Sequence, residues 1–227
     1  MSSKQGKFQA ATPLLRLNQR PPLTVLSAGL GQDSAMLAAL CLEDKPFQRK
    51  YIPGDLLIMS SETGMEHEET NEYRLRFADL CRSRGVDYIH VTPDMGFHPR
   101  TWPSIHYQWQ RNTTIQSRLF PKSCSAQSKL YPWYKALNDY ISRKYNYPAQ
   151  VGRLSRAALY TYAEHYGPVP VMIGFSAGEE RRIKAAPAGF MQDTIQRIFP
   201  LIDLGLDRSG CQLGIRALGF EVPYPSN

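Results

Sequence analysis

Cysteine and histidine are scarce in this sequence, and long apolar runs are missing. Four cysteines are spread over 227 residues, at Cys41, Cys81, Cys124 and Cys211, without a CxxC pair or a closely spaced framework. That spacing does not fit a secreted fold stapled by disulfides. Cys41 and Cys81 fall in apolar helical patterns, where a buried small hydrophobe is expected. Cys124 and Cys211 stand in polar, Gly/Ser-rich contexts and stay open as functional thiols. The five histidines show no metal-ligand spacing, so His67 and His165 read as surface residues and no metal-ligating set is assigned. No apolar stretch approaches the roughly 20 residues that cross a bilayer. No apolar core of a secretory signal follows Met1 to Lys7. A cytoplasmic protein without a membrane partner is expected.

Acidic residues are scarce in one region above all. Between Phe97 and Tyr147 only Asp139 opposes eight basic residues: Arg100, Arg111, Arg118, Lys122, Lys129, Lys135, Arg143 and Lys144. This stretch carries a net +7, as much as the whole chain, whose isoelectric point is about 9.3. Eleven aromatic residues lie among these charges, including Trp102, Tyr107, Trp109, Trp133 and Tyr134. Cations attract phosphates and aromatic faces stack on bases, so RNA or DNA is one expected partner. The other reading is a solvated basic face whose aromatics reach the core.

Otherwise the composition is that of a globular domain, with 42% hydrophobic and 21% charged residues. Residues 1–22 read as an irregular leader and 23–227 as one domain. Apolar runs predict strands at Leu23–Leu26, Asp55–Ser60, Val86–Val91, Val169–Gly174 and Ile198–Leu201. Helical spacing is predicted over Asp33–Leu42, Glu66–Arg84, Tyr131–Lys144, Leu154–Tyr166 and Arg208–Leu218. Strands alternating with helices predict a doubly wound, mainly parallel α/β sheet of five strands with helices on both faces. The basic-aromatic segment, at about 97–147, is then an insertion between the third and fourth strands.

The turn after the first strand carries the chemistry. Ser27-Ala28-Gly29-Leu30-Gly31-Gln32-Asp33-Ser34 joins a strand to a helix, where glycines let a backbone approach an anion and helix N–H groups attract it. A Walker loop would need a lysine after Gly31, which is absent. A dinucleotide fingerprint would need glycine at Ser34. Glu62, after the second strand, nevertheless keeps a ribose-binding dinucleotide or S-adenosylmethionine site open. Asp33 either caps the helix or orients the loop and holds a metal.

The run Ser27-x-Gly29-x-Gly31-x-Asp33-Ser34 resembles the pyrophosphate-binding loop of the adenine-nucleotide alpha-hydrolase superfamily. Further segments resemble its phosphoadenosine phosphosulfate reductase-like branch, in the same order. These are Glu62-Thr63-Gly64-x-Glu66, Cys124 with Lys129 and Pro132, Gly174-Phe175-Ser176 with Glu179, Arg182 and Lys184, and Pro200-Leu201 with Arg208 and Cys211. Glu62 replaces the usual Asp, and Gly178 stands where an acid is common. Relatives in the branch often continue to a Cys-x-x-Cys pair. Pro223–Asn227 stands where that pair would begin, so a four-cysteine iron–sulfur cluster within this chain is not expected.

The resemblance implies ATP, with Mg²⁺, as the ligand. It places adenine near Ser27 and the Ser60–Gly64 turn, including Glu62 and Thr63, with the phosphates over Gly29, Gly31, Gln32, Asp33 and Ser34 and close to Gly174. It implies cleavage of ATP to AMP and pyrophosphate, activating a nucleobase or nucleic acid, with sulfur insertion as one outcome. Lys129, Arg182 and Lys184 are the candidate cations for the developing phosphate charge. Cys124 is the candidate sulfur carrier or nucleophile, helped by Lys122 and Lys129. A sulfonucleotide reductase and a nucleotide-sensing module without turnover are the competing expectations.

Overall fold

The computed structural model describes residues 22–100, 103–112, 126–147, 156–183 and 190–223. The leader, Cys124 and Lys184 lie outside the described residues. Five parallel strands form one sheet in the order β3-β2-β1-β4-β5. They are β1 (Leu23–Ser27), β2 (Asp55–Ser61), β3 (Asp87–Val91), β4 (Val169–Ile173) and β5 (Ile195–Ile198). This is the doubly wound parallel architecture that the sequence predicts. β1 is central, and its apolar run is buried on both faces, as a strand covered from two sides must be.

Helices α1 (Gln32–Glu43), α2 (Lys45–Tyr51) and α3 (Glu68–Ser83) cover one face, closed by α9 (Arg208–Ala217) near the C-terminus. Leu26, Ile58 and Met172 supply the sheet's side of that core, against Leu37, Phe77 and Ile215. The opposite face carries Val25, Leu57, Met59 and Val171. There α5 (Tyr131–Lys144) and α6 (Ala157–Tyr166) pack through Leu137, Ile141, Leu159 and Tyr162.

The connection from β3 to β4 therefore includes the helices that build the second layer. It also holds α4 (Ile105–Asn112) and a π-helical turn, Ala126–Leu130, that runs directly into α5. Trp133 belongs to the core, and Tyr134, Tyr140, Tyr145 and Tyr147 pack against it. For these aromatics the core-reaching interpretation holds. Several of the charges are paired as well: Lys144 bridges Asp55 and Asp87, and Arg143 meets Asp139.

Three local expectations change. The fifth strand is Ile195–Ile198, preceded by α7 (Phe190–Thr194); Pro200–Asp203 forms a short helix, α8. Pro200 has no N–H to give a ladder and suits the first helical turn. Helix α2 was not predicted; Asp44 starts it by accepting from the Phe47 N–H at 2.7 Å. Finally, Gly31 is the N-cap of α1, so Asp33 does not cap that helix.

Candidate active site

The order 3-2-1-4-5 reverses direction between β1 and β4, leaving a crevice beyond their carboxyl ends, where ligands of such sheets bind. The predicted phosphate loop leaves β1 there. The Ala28 N–H donates to the Met59 carbonyl at 2.8 Å, fixing the loop's start to β2. Leu30 then adopts a left-handed backbone (φ 58°) while its side chain is buried in the core. A leucine in that conformation is held by its surroundings, and here apolar burial is what holds it. Gly29 beside it is exposed, with nothing within 4 Å of the position a Cβ would take.

The first N–H groups of α1, at Gln32, Asp33 and Ser34, have no partner within the helix. The Ser34 hydroxyl donates back to the Gly31 carbonyl at 2.9 Å. The Gln32 amide donates to the Arg208 carbonyl and accepts from Gln212 at 3.0 Å. The side chains of Gln32 and Ser34 thus tie down the loop and α9.

Gly174, just past β4, closes the crevice from the other side. A Cβ there would stand 2.8 Å from the Ser34 nitrogen and 3.0 Å from the Asp33 carbonyl carbon. Only glycine permits this approach. The next turn reaches α1 as well, since buried Ser176 hydrogen-bonds the Asp33 carboxyl group. Burial raises the Asp33 pKa, Ser176 and Arg208 oppose that rise, and Glu179 adds to it. One carboxyl oxygen, Oδ1, is buried with no hydrogen-bond partner.

Glu179 holds Arg182, whose Nη1 donates to both of its carboxylate oxygens at 2.9 Å. The guanidinium lies over the Phe175 ring, 4.2 Å from its centroid, and Phe175 stacks on Phe199 at 5.6 Å. Both contacts preset a side chain that is 58% exposed. Arg182 therefore stands at the carboxyl end of β4, linked through Glu179 to the surroundings of Asp33.

The turn after β2 is built by Glu66. Its carboxylate accepts from the Thr63 N–H and hydroxyl and from the N–H groups of Gly64 and Met65. Burial alone would raise its pKa, but the hydrogen bonds from Thr63 and its neighbours outweigh that and hold it below the ordinary carboxylate range. Because the folded pKa is depressed, this stabilisation is present above the unfolded carboxylate's pKa and is lost as pH falls through the folded value. Glu66→Gln is therefore expected to lower Tm at pH 7, with the difference from wild type narrowing toward pH 3 in thermal melts. Gly64 has φ 75°, and a Cβ on it would meet the Ser104 Cβ at 2.5 Å. Glu62, half-buried, has its pKa raised by burial and by Glu66.

Ser60 is drawn away from the crevice. Its hydroxyl lies 2.7 Å from both the Tyr88 hydroxyl and His90 Nδ1, within the α3 side of the sheet. Burial and nearby Arg74 push His90 down to about 4, so this imidazole is neutral at pH 7. Lys129 is exposed on the π-helical turn, and its carbonyl accepts from the Ser61 hydroxyl at 3.4 Å. That contact brings the Lys129 segment to the carboxyl end of β2. Cys211, in contrast, is fully buried in the core near Asp33, and burial pushes its thiol up to about 12. It offers no thiolate.

The structure thus gathers Ser27, Gly29, Gly31, Asp33, Glu62, Thr63, Gly64, Lys129, Gly174 and Arg182 around the carboxyl ends of β1, β2 and β4. Ser176, Glu179 and Arg208 complete the setting of Asp33. The Ser176 and Glu179 positions were visible within the motif, but the Ser176 bond to Asp33 and the nearby Glu179 charge were not. Among the described residues no group of three or more His, Cys, Asp or Glu side chains is placed to hold a metal. No helix of the described residues is long and apolar enough to cross a membrane.

No family model matches the sequence, and no curated protein matches it. Among solved structures, the U34-tRNA thiolase NcsA from Methanococcus maripaludis, which carries a 4Fe–4S cluster, aligns with a TM-score of 0.51 at 14% identity. The alignment covers 95% of this chain and 63% of the thiolase. An NH3-dependent NAD synthetase from Campylobacter jejuni, solved with a nitrate ion, aligns over 90% of this chain and 67% of its own, at 15% identity and a TM-score of 0.42. The chain has a five-stranded parallel α/β fold similar to that of the archaeal tRNA thiolase, and it spans somewhat less than two thirds of that protein.

Proposed function

We propose that this chain is an ATP-dependent enzyme of the phosphoadenosine phosphosulfate reductase-like type that adenylates a nucleic-acid substrate. The observation that carries this reading is the close packing of Gly174 on the first turn of α1, which sets the turn after β4 against the glycine loop after β1. Adenine is assigned to the space between Ser27 and the Glu62–Gly64 turn, with the phosphates over Gly29 to Ser34. The triphosphate is held mainly by backbone N–H groups and the helix dipole.

An acceptor oxygen of the substrate attacks the α-phosphorus. The bond from that phosphorus to the α,β-bridging oxygen breaks, and pyrophosphate leaves with the electron pair. Arg182, preset by Glu179 and Phe175, and Lys129 spread the charge that grows on the leaving phosphates, with Lys184 as a third candidate cation. The Asp33 carboxylate, with one oxygen unpartnered, is the group of this chain that would hold Mg²⁺. When bound, it neutralises phosphate charge during the displacement.

The acceptor class rests on the surface around this crevice. Arg100, Arg111 and Lys129 are exposed, as are Tyr107 and Tyr131. Helix α4 begins at the crevice, because the Ile105 N–H donates to the Thr63 carbonyl at 2.9 Å. Cations and aromatic faces set beside an adenylation site suit RNA or DNA. The fold shared with a tRNA thiolase favours RNA and sulfur insertion, with Cys124 the candidate sulfur carrier.

Incubation with ATP, Mg²⁺ and pooled tRNA is expected to release pyrophosphate, faster with RNA than without, with the AMP moiety left on the acceptor oxygen of the RNA. Release of ADP and phosphate overturns the reading. ATP binding without turnover on RNA or DNA replaces it with the sensing module. Reduction of a sulfonucleotide by thioredoxin replaces it with the reductase, which would work without Cys211.

A further inference from the structure

Exposed apolar side chains gather at one place on this surface. Nine large ones stand exposed among the described residues, and four of them, Met65, Tyr107, Leu130 and Tyr131, lie on segments that meet at the turn after β2. Hydrogen bonds pin these segments there. The Ser61 hydroxyl donates to the Lys129 carbonyl at 3.4 Å, and the Ile105 N–H donates to the Thr63 carbonyl at 2.9 Å. Ser104 packs on Gly64, and its hydroxyl accepts from the Tyr107 N–H at 3.0 Å, which fixes the first turn of α4. Leu130 and Tyr131 project from a stretch held at both ends, by Ser128, fully buried, and by Trp133 in the core. Rings presented on so rigid a base lose little freedom when a ligand covers them.

The two anchoring residues, Ser61 and Gly64, are separated by at most about 10 Å of chain. Tyr107 and Tyr131 therefore stand on neighbouring segments, close enough for one strand to meet both. Arg100, before α4, and Arg111, in its last turn, are exposed as well. The Glu66 charge at this turn is taken up by the N–H groups of Thr63, Gly64 and Met65. Glu68 and Glu69 open α3, which covers the other face of the sheet from α5. The surface thus suits a ligand with flat apolar faces and negative charge, the chemistry of nucleotides. In a duplex the base faces are covered by their neighbours, and only unpaired bases offer a face to a tyrosine. We infer that the acceptor strand is held unpaired, with bases stacked on Tyr107 and Tyr131 and with Met65 and Leu130 beside them. This rests on the function proposed above and names its acceptor as single-stranded nucleic acid; the binding itself needs no ATP.

The probes are a mixed-sequence RNA of about 12 nucleotides, its DNA counterpart, and each annealed to its complement. Binding is read by fluorescence anisotropy at one salt concentration without ATP. At least one single strand is expected to bind about tenfold or more tighter than its duplex, and whichever sugar binds tighter is the acceptor's. Tyr107→Ala and Tyr131→Ala are each expected to weaken single-strand binding about fivefold or more, the loss of one stacked base, and to leave duplex binding unchanged. Tyr131→Phe is expected to bind like wild type, because stacking needs the ring and not the hydroxyl. Tyr160→Ala removes a similarly exposed tyrosine from α6 and is expected to change nothing. Duplexes held as tightly as strands, alanine variants that bind like wild type, or no binding of any probe overturns the inference. Should an alanine variant not fold, crosslinking of the strand carrying 5-bromouridine to wild type decides: adducts on Tyr107 or Tyr131 support it, and adducts only elsewhere overturn it. Strand binding of the expected kind without pyrophosphate release removes the adenylation and keeps the platform. RNA-stimulated pyrophosphate release, with both alanine variants binding like wild type, does the reverse.

Discussion

Asp33→Asn is expected to lower pyrophosphate release by about 10²–10³-fold, the loss seen when one preorganised electrostatic group is removed from a transition state. Asparagine keeps the shape and the contact with Ser176, so the defect isolates the charge. The fold is not expected to suffer. Burial raises the Asp33 pKa, so the ionised form is the costly one, and this contribution to stability declines as pH rises through the folded pKa. Removing the charge therefore leaves Tm at pH 7 unchanged or higher, while activity collapses. The defect should deepen as Mg²⁺ is lowered, because the variant has lost the oxygen assigned to the ion. Thermal melts and a pyrophosphate assay on the same preparation check both halves. A variant that retains activity within threefold of wild type removes Asp33 from the mechanism.

Gly174→Ala is the second large effect, and it acts through the backbone. The new Cβ would lie 2.8 Å from the Ser34 nitrogen, 3.0 Å from the Asp33 carbonyl carbon and 3.1 Å from the Ser34 Cα. None of these atoms is the tip of a flexible side chain, so either α1 or the turn after β4 must move. Overpacking of this kind costs roughly 1–3 kcal/mol, which for a domain of this size lowers Tm by about 2–12 °C. ATP affinity is expected to fall at least about tenfold, because the shifted atoms belong to the first turn of α1, the phosphate site proposed above. Gly29→Ala makes the contrast. Nothing lies within 4 Å of its added methyl, so Tm should hold while the methyl intrudes on the phosphate space and weakens ATP alone. Calorimetric binding and melts of the two variants separate a packing glycine from a ligand-facing one.

That contrast also marks how far the sequence could be read. Gly29 was read as phosphate-binding from its place between a strand and a helix, Gly174 from the family resemblance, and both border the crevice. Their reasons for being glycine differ, and only three-dimensional distances separate them. The sheet was legible because each strand is a short apolar run bounded by Gly, Pro or charge, and β1 has the continuous burial of a central strand. The edge of the sheet was less so: Ile195–Ile198 mixes Gln196 and Arg197 into a half-exposed strand, while the apolar Pro200-Leu201-Ile202 run is helical.

The polar interior was hidden for another reason. Ser60 looked like a ligand-facing hydroxyl at a strand's end, but the two-residue period of β2 turns it toward Tyr88 and His90. Glu66 sat in the motif without a role until four donors converged on it. Cys211, in a Gly/Ser-rich stretch, gave no sign of burial, because the face of α9 that meets α1 is set by tertiary packing. The basic-aromatic segment divided along similar lines, its tyrosines at 134, 140, 145 and 147 against the core and Tyr107 and Tyr131 at the surface.

The sheet order has a consequence in time. β1 finds one neighbour, β2, within about thirty residues, but its other neighbour enters only when Val171 pairs with Val25. A chain emerging from the ribosome thus carries its glycine loop long before Gly174, Ser176 and Arg182 exist to close it. Loop closures over such separations come late in folding. During most of its synthesis the protein holds its glycine loop without a pocket, and the crevice proposed as the nucleotide site is completed in one step, when the fourth strand slots in beside the first.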